Sequence, residues 1–175
     1  MVKLLAISYP ELSEQDFSFI QTIRKDHDPL FNVVKPHFTF VFPVEDIAEK
    51  EFSAELIKQI KNFKTFSFSI RSAILHKDEF SNNWFVFLIT EKGNNEFIKL
   101  HDKFYSEKLK SYHRLDLEYI PHITVCSSSD KNHCKDLVDK INAKPFCIEG
   151  HISNIDIVNY ENQLVMPLEK INLQP

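Results

Sequence analysis

Glycine is nearly absent from this chain of 175 residues, which contains only two, Gly93 and Gly150. Dinucleotide-binding fingerprints and P-loops need several closely spaced glycines, because only glycine lets the backbone approach a phosphate closely. No G-x-G-x-x-G or Walker-type stretch occurs in the sequence. The scarcity of glycine therefore argues against both of these nucleotide-binding classes.

Cysteine is also scarce, with three residues at Cys126, Cys134 and Cys147. An odd number without paired spacing predicts reduced thiols, and it favours a cytoplasmic protein. We expect Cys126 to be a small packing residue rather than a nucleophile. The sequence has no Cys-x₂-Cys or His-x₂₋₄-His spacing, so it does not indicate zinc, and we expect neither a metal nor another cofactor.

Long hydrophobic runs and an excess of positive charge are missing too. No apolar stretch approaches the roughly 20 residues of a membrane-spanning helix, and the apolar N-terminus is too short for a signal peptide. The net charge of −4 gives no broad basic surface for duplex nucleic acid. We therefore expect a monomer that binds neither membranes nor duplex DNA, while a single nucleotide or an RNA end stays compatible with this charge.

Two short stretches of the chain nearly repeat each other. Residues 35–40 read Lys-Pro-His-Phe-Thr-Phe and residues 120–125 read Ile-Pro-His-Ile-Thr-Val. Both are rich in β-formers, and residues two apart in a strand point to the same face. The histidine and threonine of each motif are thus predicted to face a groove, while the apolar residues between them bury in a core. The prolines suit the start or the edge of a strand.

The hydrophobic periodicity predicts the order strand–helix–strand–helix–strand twice. The predicted strands cover residues 2–8, 37–42, 66–75, 84–90, 122–127, 146–148, 152–158 and 164–173. The predicted helices cover a segment capped by Ser13, with Phe17, Ile20 and Ile23 on one face, and residues 49–62, 94–109 and 131–141. We expect an α+β protein with one domain over residues 1–175, built from two related lobes at about 1–78 and 83–175.

The chemistry of the two motifs fits cleavage of a phosphodiester. An in-line displacement at phosphorus needs a base on one side and an acid on the other, and histidine serves both tasks near neutral pH. His37 and His122 are therefore the candidate acid and base, in an order that the sequence leaves open. Thr39 and Thr124 are candidates to donate hydrogen bonds to the phosphate oxygens.

The paired motifs His37-Phe38-Thr39-Phe40 and His122-Ile123-Thr124-Val125 resemble those of the two-histidine (2H) phosphoesterase superfamily. With their preceding prolines they are similar to the bacterial 2′-5′ RNA ligase group and its cyclic phosphodiesterase relatives. The resemblance implies a bilobal fold in which two antiparallel sheets flank a central cleft with helices outside. It implies metal-independent catalysis by the two histidines and phosphate binding by the two threonines.

The resemblance also implies a substrate with a 2′,3′-cyclic phosphate or a 2′-5′ bond, in an RNA end or a small nucleotide. Two alternatives stay open: the reverse reaction, which would make the protein a ligase, and nucleotide or RNA-end binding without catalysis. The sequence does not decide whether the product carries a 2′- or a 3′-phosphate. Tyr119 and Trp84 are candidates to stack a base, although core packing is favoured for Trp84. The other six histidines are expected to lie at element ends or on helices, without a catalytic role: His27, His76, His101, His113, His133 and His151.

Overall fold

The computed structural model describes residues 3–79 and 81–175 and shows an α+β fold. One antiparallel sheet has the strand order β3-β1-β8-β9, with β1 at Lys3–Ser8, β3 at Phe38–Val44, β8 at Asn154–Glu161 and β9 at Leu164–Asn172. The second antiparallel sheet has the order β2-β7-β4-β5-β6, with β2 at Glu11–Leu12, β4 at Phe66–Lys77, β5 at Trp84–Lys92, β6 at His122–Ser128 and β7 at Ile148–Ile152. The predicted fold class is confirmed. Val2 of the predicted first strand and Phe80 of the polar stretch 77–83 lie outside the described residues.

Four α-helices accompany the sheets within the described residues: α1 at Glu14–His27, α2 at Glu49–Ile60, α3 at Asn94–Phe104 and α4 at Lys131–Asn142. α3 packs on β3 and is itself covered by α2, whereas α1 and α4 pack on the second sheet. The predicted helix over 94–109 is shorter in the structure, because a separate 3₁₀ helix at Lys108–Tyr112 follows α3. None of the described helices is long and apolar enough to cross a membrane.

The predicted division into lobes at about 1–78 and 83–175 does not follow the two sheets. Residues 78–83 connect β4 to β5, which are neighbouring strands of one sheet. β8 and β9 come from the end of the chain but pair with β1, so Lys3 lies opposite Tyr160. Such long-range pairing depends on tertiary packing and leaves no local signal in the strand sequences. Each sheet therefore contains strands from both halves.

A local signal places the start of α1 correctly. The Ser13 hydroxyl accepts a hydrogen bond from the Asp16 backbone N–H at 3.1 Å, which caps α1 as predicted. The buried face of α1 differs from the prediction, however. Ile20 and Arg24 are buried on it, whereas Phe17 keeps 37% of its surface exposed. The apolar periodicity missed Arg24 because a charged residue is rarely buried without partners, and periodicity does not reveal partners.

Both glycines lie where a side chain would not fit. A Cβ on Gly93 would lie 2.6 Å from the Ser67 carbonyl oxygen, and the residue has a φ of 81° before α3. A Cβ on Gly150 would lie 2.7 Å from Cε1 of Phe68 on the neighbouring strand. These two glycines therefore serve helix initiation and strand packing.

A cluster of phenylalanines joins the two sheets. Phe97 of α3 is fully buried, and its ring centroid lies 4.4 Å from that of Phe38 and 5.4 Å from that of Phe40 on β3. The same ring lies 5.0 Å from Phe66 and 5.8 Å from Phe68 on β4. One side chain thus contacts a strand of each sheet, directly behind the first His-x-Thr motif.

Replacement of Phe97 by alanine is expected to lower the free energy of unfolding by about 3–5 kcal/mol, because it leaves a cavity between the sheets. Urea denaturation followed by Trp84 fluorescence measures this loss. Phe17→Ala is the matched control, and its exposed position predicts a change within about 0.5 kcal/mol. Equal effects of the two substitutions would show that Phe97 does not join the sheets as described.

Candidate active site

The two His-x-Thr motifs meet where the two sheets adjoin. β3 is an edge strand of the first sheet and β6 is an edge strand of the second, and the two strands contact each other. His37 directly precedes β3, and His122 is the first residue of β6. Phe38, Phe40, Ile123 and Val125 are fully buried, whereas both motif histidines and threonines are half-buried. The predicted alternation is therefore present in both motifs.

Both motif histidines form the same hydrogen bond with the backbone. Nδ1 of His37 donates to the Lys35 carbonyl at 2.9 Å, and Nδ1 of His122 donates to the Ile120 carbonyl at 2.6 Å. A carbonyl oxygen only accepts, so each Nδ1 carries a proton and each Nε2 has a free lone pair in the neutral ring. The intervening Pro36 and Pro121 are buried. Each proline thus lies inside the short loop that sets the tautomer of its histidine.

His122 lies against aromatic rings of its own sheet. Its ring stacks on Phe87 of β5, with centroids 3.5 Å apart and an interplanar angle of 16°. His76 of β4 stacks on Phe87 as well, at 4.8 Å and 22°. Burial, with smaller contributions from the charges of His37 and His76, lowers the pKa of His122 to about 4. The ring is therefore neutral at pH 7, and His37 lies close enough to act on it electrostatically.

His37 has a different environment but the same tendency. Its ring makes an edge contact with Tyr9 at a centroid distance of 6.3 Å. Burial lowers the pKa of His37 below the ordinary value of 6.5, and the positive charge of Arg24 acts in the same direction. The bond to the Lys35 carbonyl and the carboxylate of Asp28 oppose this shift. Both motif histidines are thus held mainly neutral before a ligand arrives.

A buried ion pair fixes the segment that leads to His37. Nε of Arg24 donates to Oδ2 of Asp28 at 2.7 Å, and the two side chains are only 2% and 5% exposed. Nη2 of Arg24 also donates to the carbonyl of Val34 at 2.7 Å, and Oδ1 of Asp28 accepts from the Leu30 N–H. The guanidinium thereby attaches residues 28–34 to α1, immediately before Lys35-Pro36-His37.

Two cavities open at the motifs and share Pro43 in their linings. The larger, of about 790 Å³, is lined by residues that include His122, Thr124, His76, Phe42, Phe85 and Phe87. The smaller, of about 210 Å³, is mostly apolar and includes His37 and Ile7, the residue opposite Thr39. The larger cavity is wide enough for a nucleotide, since small-molecule sites span roughly 300–1,000 Å³.

Several other sequence candidates lie elsewhere. Tyr119 donates its hydroxyl to the Thr39 carbonyl at 3.1 Å and stacks on His101, so its ring is not free to stack a base. Trp84 packs against the core, as favoured. Cys126 is buried beside Cys134, with the sulfur atoms 3.7 Å apart, and burial raises its pKa to about 12. A packing role for Cys126 agrees with this environment.

Sequence reasoning missed His76 and Phe87 as cavity residues. His76 lies opposite Phe85, and Phe87 lies opposite Thr124, in the registers of β4–β5 and β5–β6. Alternation along β4 predicts that His76 and Ile74 lie on the same face of the strand. Only the strand register shows that His122 lies on this face of the sheet as well. A β-bulge between Val86 and Phe87 shifts the β5–β6 register.

Comparison with known proteins identifies the family of the chain. A family model described as the 2′-5′ RNA ligase superfamily matches residues 10–164. The chain belongs to the 2′-5′ RNA ligase superfamily. The resemblance to the two-histidine phosphoesterases is thereby confirmed. A candidate phosphoesterase of Bacillus licheniformis is 27% identical over 133 residues, covering 73% of this chain and 72% of that protein. A candidate phosphoesterase of Bacillus pumilus is 24% identical, covering 75% and 74%.

Two solved structures share the fold. Escherichia coli LigT in complex with 3′-AMP superimposes with a TM-score of 0.62 at 16% identity, covering 99% of this chain and 98% of that one. The protein TT0787 of Thermus thermophilus superimposes with a TM-score of 0.64 at 16% identity, covering 98% of both chains. At this identity the likeness establishes the fold and leaves the activity to be argued from the site.

Replacement of Arg24 by methionine is expected to lower the free energy of unfolding by about 3–5 kcal/mol, because Asp28 is left as an uncompensated buried charge. Urea denaturation measures the loss, and Arg24→Met combined with Asp28→Leu should recover most of it. Arg71→Met removes an exposed pair with Glu91 and should cost about 0–1 kcal/mol. A double variant as unstable as the single one would contradict the role of the pair.

The low pKa of His122 predicts a loss of stability in acid. The unfolded chain binds a proton at this histidine near pH 6.5, whereas the folded chain does so only near pH 4. Stability therefore falls as the pH drops from about 6.5 to about 4, and the loss is complete below that range. Unfolding free energies measured across this range should fall more steeply for the wild type than for His122→Gln. Parallel curves would show that His122 titrates normally in the folded protein.

Proposed function

We propose that this protein is a metal-independent phosphodiesterase that hydrolyses 2′,3′-cyclic phosphates or 2′-5′ bonds in small nucleotides or RNA ends. Family and fold support a phosphoesterase, and the finer assignment rests on one observation. Two histidines on adjoining edge strands have the same tautomer, set by the same bond from Nδ1 to a backbone carbonyl. Each Nε2 is thus prepared to exchange a proton with a group in the cleft.

The reaction needs one neutral and one protonated histidine. In the free protein both are mainly neutral at pH 7, since burial lowers both pKa values. A phosphate anion bound between the rings raises the pKa of each imidazole, so substrate binding favours uptake of one proton. The neutral ring then takes a proton from water as the water oxygen bonds to phosphorus. The protonated ring gives its proton to the leaving ribose oxygen as the P–O bond breaks.

Thr39 and Thr124 supply the hydroxyl groups of the site in this proposal. Each lies two residues after its histidine on the same strand face. Their hydroxyls donate to the non-bridging phosphate oxygens, where negative charge increases in the transition state. The backbone carbonyl of Thr39 is held by Tyr119, which fixes the strand at this residue.

The larger cavity supports a small nucleotide more than a long RNA. Phe42 and Phe85 line it and offer ring faces to a base. Four carboxylate residues also line it: Glu45, Asp78, Glu79 and Glu118. These carboxylates would repel the further phosphates of a polynucleotide. LigT has been solved in complexes with 3′-AMP, ATP and NADP+, which supports nucleotides as the ligand class to test.

Hydrolysis of a 2′,3′-cyclic nucleotide in the presence of EDTA tests the proposal. His37→Ala and His122→Ala are each expected to lower the rate by about 10²–10⁴-fold, because each removes one proton-transfer group. His151→Ala serves as the control, since β7 lies three strands away from β6 and His151 contacts Ser67 there. Circular dichroism of each variant verifies the fold.

Two outcomes would contradict the proposal. Near-normal rates in both histidine variants would rule out the two-histidine mechanism. Binding of cyclic and 2′-5′-linked nucleotides without turnover by the wild type would instead identify a nucleotide-binding protein.

A further inference from the structure

A second cluster of histidines lies behind the first motif strand. His101 and Asp102 belong to α3, and His113 directly follows the 3₁₀ helix. One side-chain donor atom of each residue lies within 4.8 Å of the others. The expectation that the chain holds no metal considered only histidines and cysteines a few residues apart in the sequence. His113 lies further along the chain, and the fold brings it close to His101 and Asp102.

His101 is oriented like a metal ligand. It is buried, and its Nδ1 donates to the carbonyl of Phe40 on β3 at 2.8 Å. Nε2 therefore has a free lone pair. Histidines that bind metals commonly donate their other ring N–H to a carbonyl or a carboxylate, which fixes the tautomer and the ring orientation.

Aromatic neighbours fix the orientation of both imidazole rings. His101 stacks on Tyr119 with centroids 3.7 Å apart and an interplanar angle of 7°. His113 stacks on Tyr105 at 4.6 Å and 9°. The two imidazole centroids are 5.3 Å apart at 73°, and no hydrogen bond joins these rings in the described part of the chain. The two imidazoles are thus close neighbours whose orientations are set by separate aromatic partners.

We propose that His101, Asp102 and His113 bind a divalent transition-metal ion, with zinc as the best fit. Two imidazole nitrogens and one carboxylate oxygen are a donor set that zinc accepts, with water as the fourth ligand. Asp102 is exposed, so water reaches the open position. The three donor atoms already lie within 4.8 Å of one another, and coordination would draw them together.

The ion would act on the structure rather than on the reacting phosphate. The ring of Phe42 lies edge-on against His101 and also lines the larger cavity, so it separates the metal site from the cleft. Nδ1 of His101 donates a hydrogen bond to the Phe40 carbonyl. The hydroxyl of Tyr119, which stacks on His101, donates one to the Thr39 carbonyl. A bound ion would connect α3 and the chain after the 3₁₀ helix to the strand that carries Thr39 and directly follows His37.

Zinc binding by the chelator-treated full chain tests this proposal without any substrate. Equilibrium dialysis is expected to show one Zn²⁺ retained per chain, and Co²⁺ should give the visible absorption of a tetrahedral site. His113→Ala and Asp102→Asn should weaken the affinity by about 10–100-fold or more. Zinc should also raise the melting temperature of the wild type and not that of His113→Ala, because an ion that binds only the folded state stabilises it.

A matched control is available in the other close histidine pair, His27 and His133, whose ring nitrogens lie 3.1 Å apart. His133→Ala should retain zinc affinity at the wild-type level. Absence of zinc binding, affinity unchanged by His113→Ala and Asp102→Asn, or loss of binding only in His133→Ala would each overturn the proposal. His101 is not the first substitution, because its bond to Phe40 makes misfolding a competing cause. A failure here would leave the proposed hydrolysis untouched, since that reaction is assayed with EDTA.

Discussion

The packing of Phe97 between β3 and β4 is the contact on which the relative position of the two sheets depends. Its ring contacts Phe38 and Phe40 on one side and Phe66 and Phe68 on the other. Phe38 and Phe40 alternate with His37 and Thr39, so the burial that joins the sheets also turns the histidine and the threonine outward. Hydrophobic packing and placement of the polar groups are thus two consequences of one strand alternation.

A hydrogen bond to the backbone orients each motif histidine further. In each motif a buried proline lies between the histidine and the carbonyl that accepts its Nδ1 proton. Strand alternation sets the face on which the ring lies, and this bond sets its tautomer. Because the same bond forms just before β3 and at the start of β6, the two rings have the same tautomer and each Nε2 has a free lone pair. Their surroundings nevertheless differ, with Tyr9 and Arg24 near His37, and Phe87 and His76 near His122.

Local physics made part of this arrangement predictable. The β-rich motifs, their alternation and the cap at Ser13 all depend on neighbouring residues, and the sequence alone predicts them. The pairing of β1 with β8 joins residues about 150 positions apart, such as Lys3 and Tyr160, and nothing local specifies it. The same limit explains His76, whose place in the cavity depends on register, and Arg24, whose burial depends on Asp28 and the carbonyl of Val34.

The charge distribution of the larger cavity limits how it would hold the anionic substrate proposed above. Among the described residues, the lysine and arginine side chains of its lining are Lys3 and Arg114. Lys3 is paired with Glu45 at 3.4 Å, and Arg114 is paired with Asp116 at 2.5 Å. In the proposed reaction, positive charge near a phosphate would therefore come largely from protonation of histidine, and His122 is the motif histidine in this lining. Binding and proton uptake would then be one linked equilibrium, so an anion that binds well would also prepare the acid of the proposed reaction.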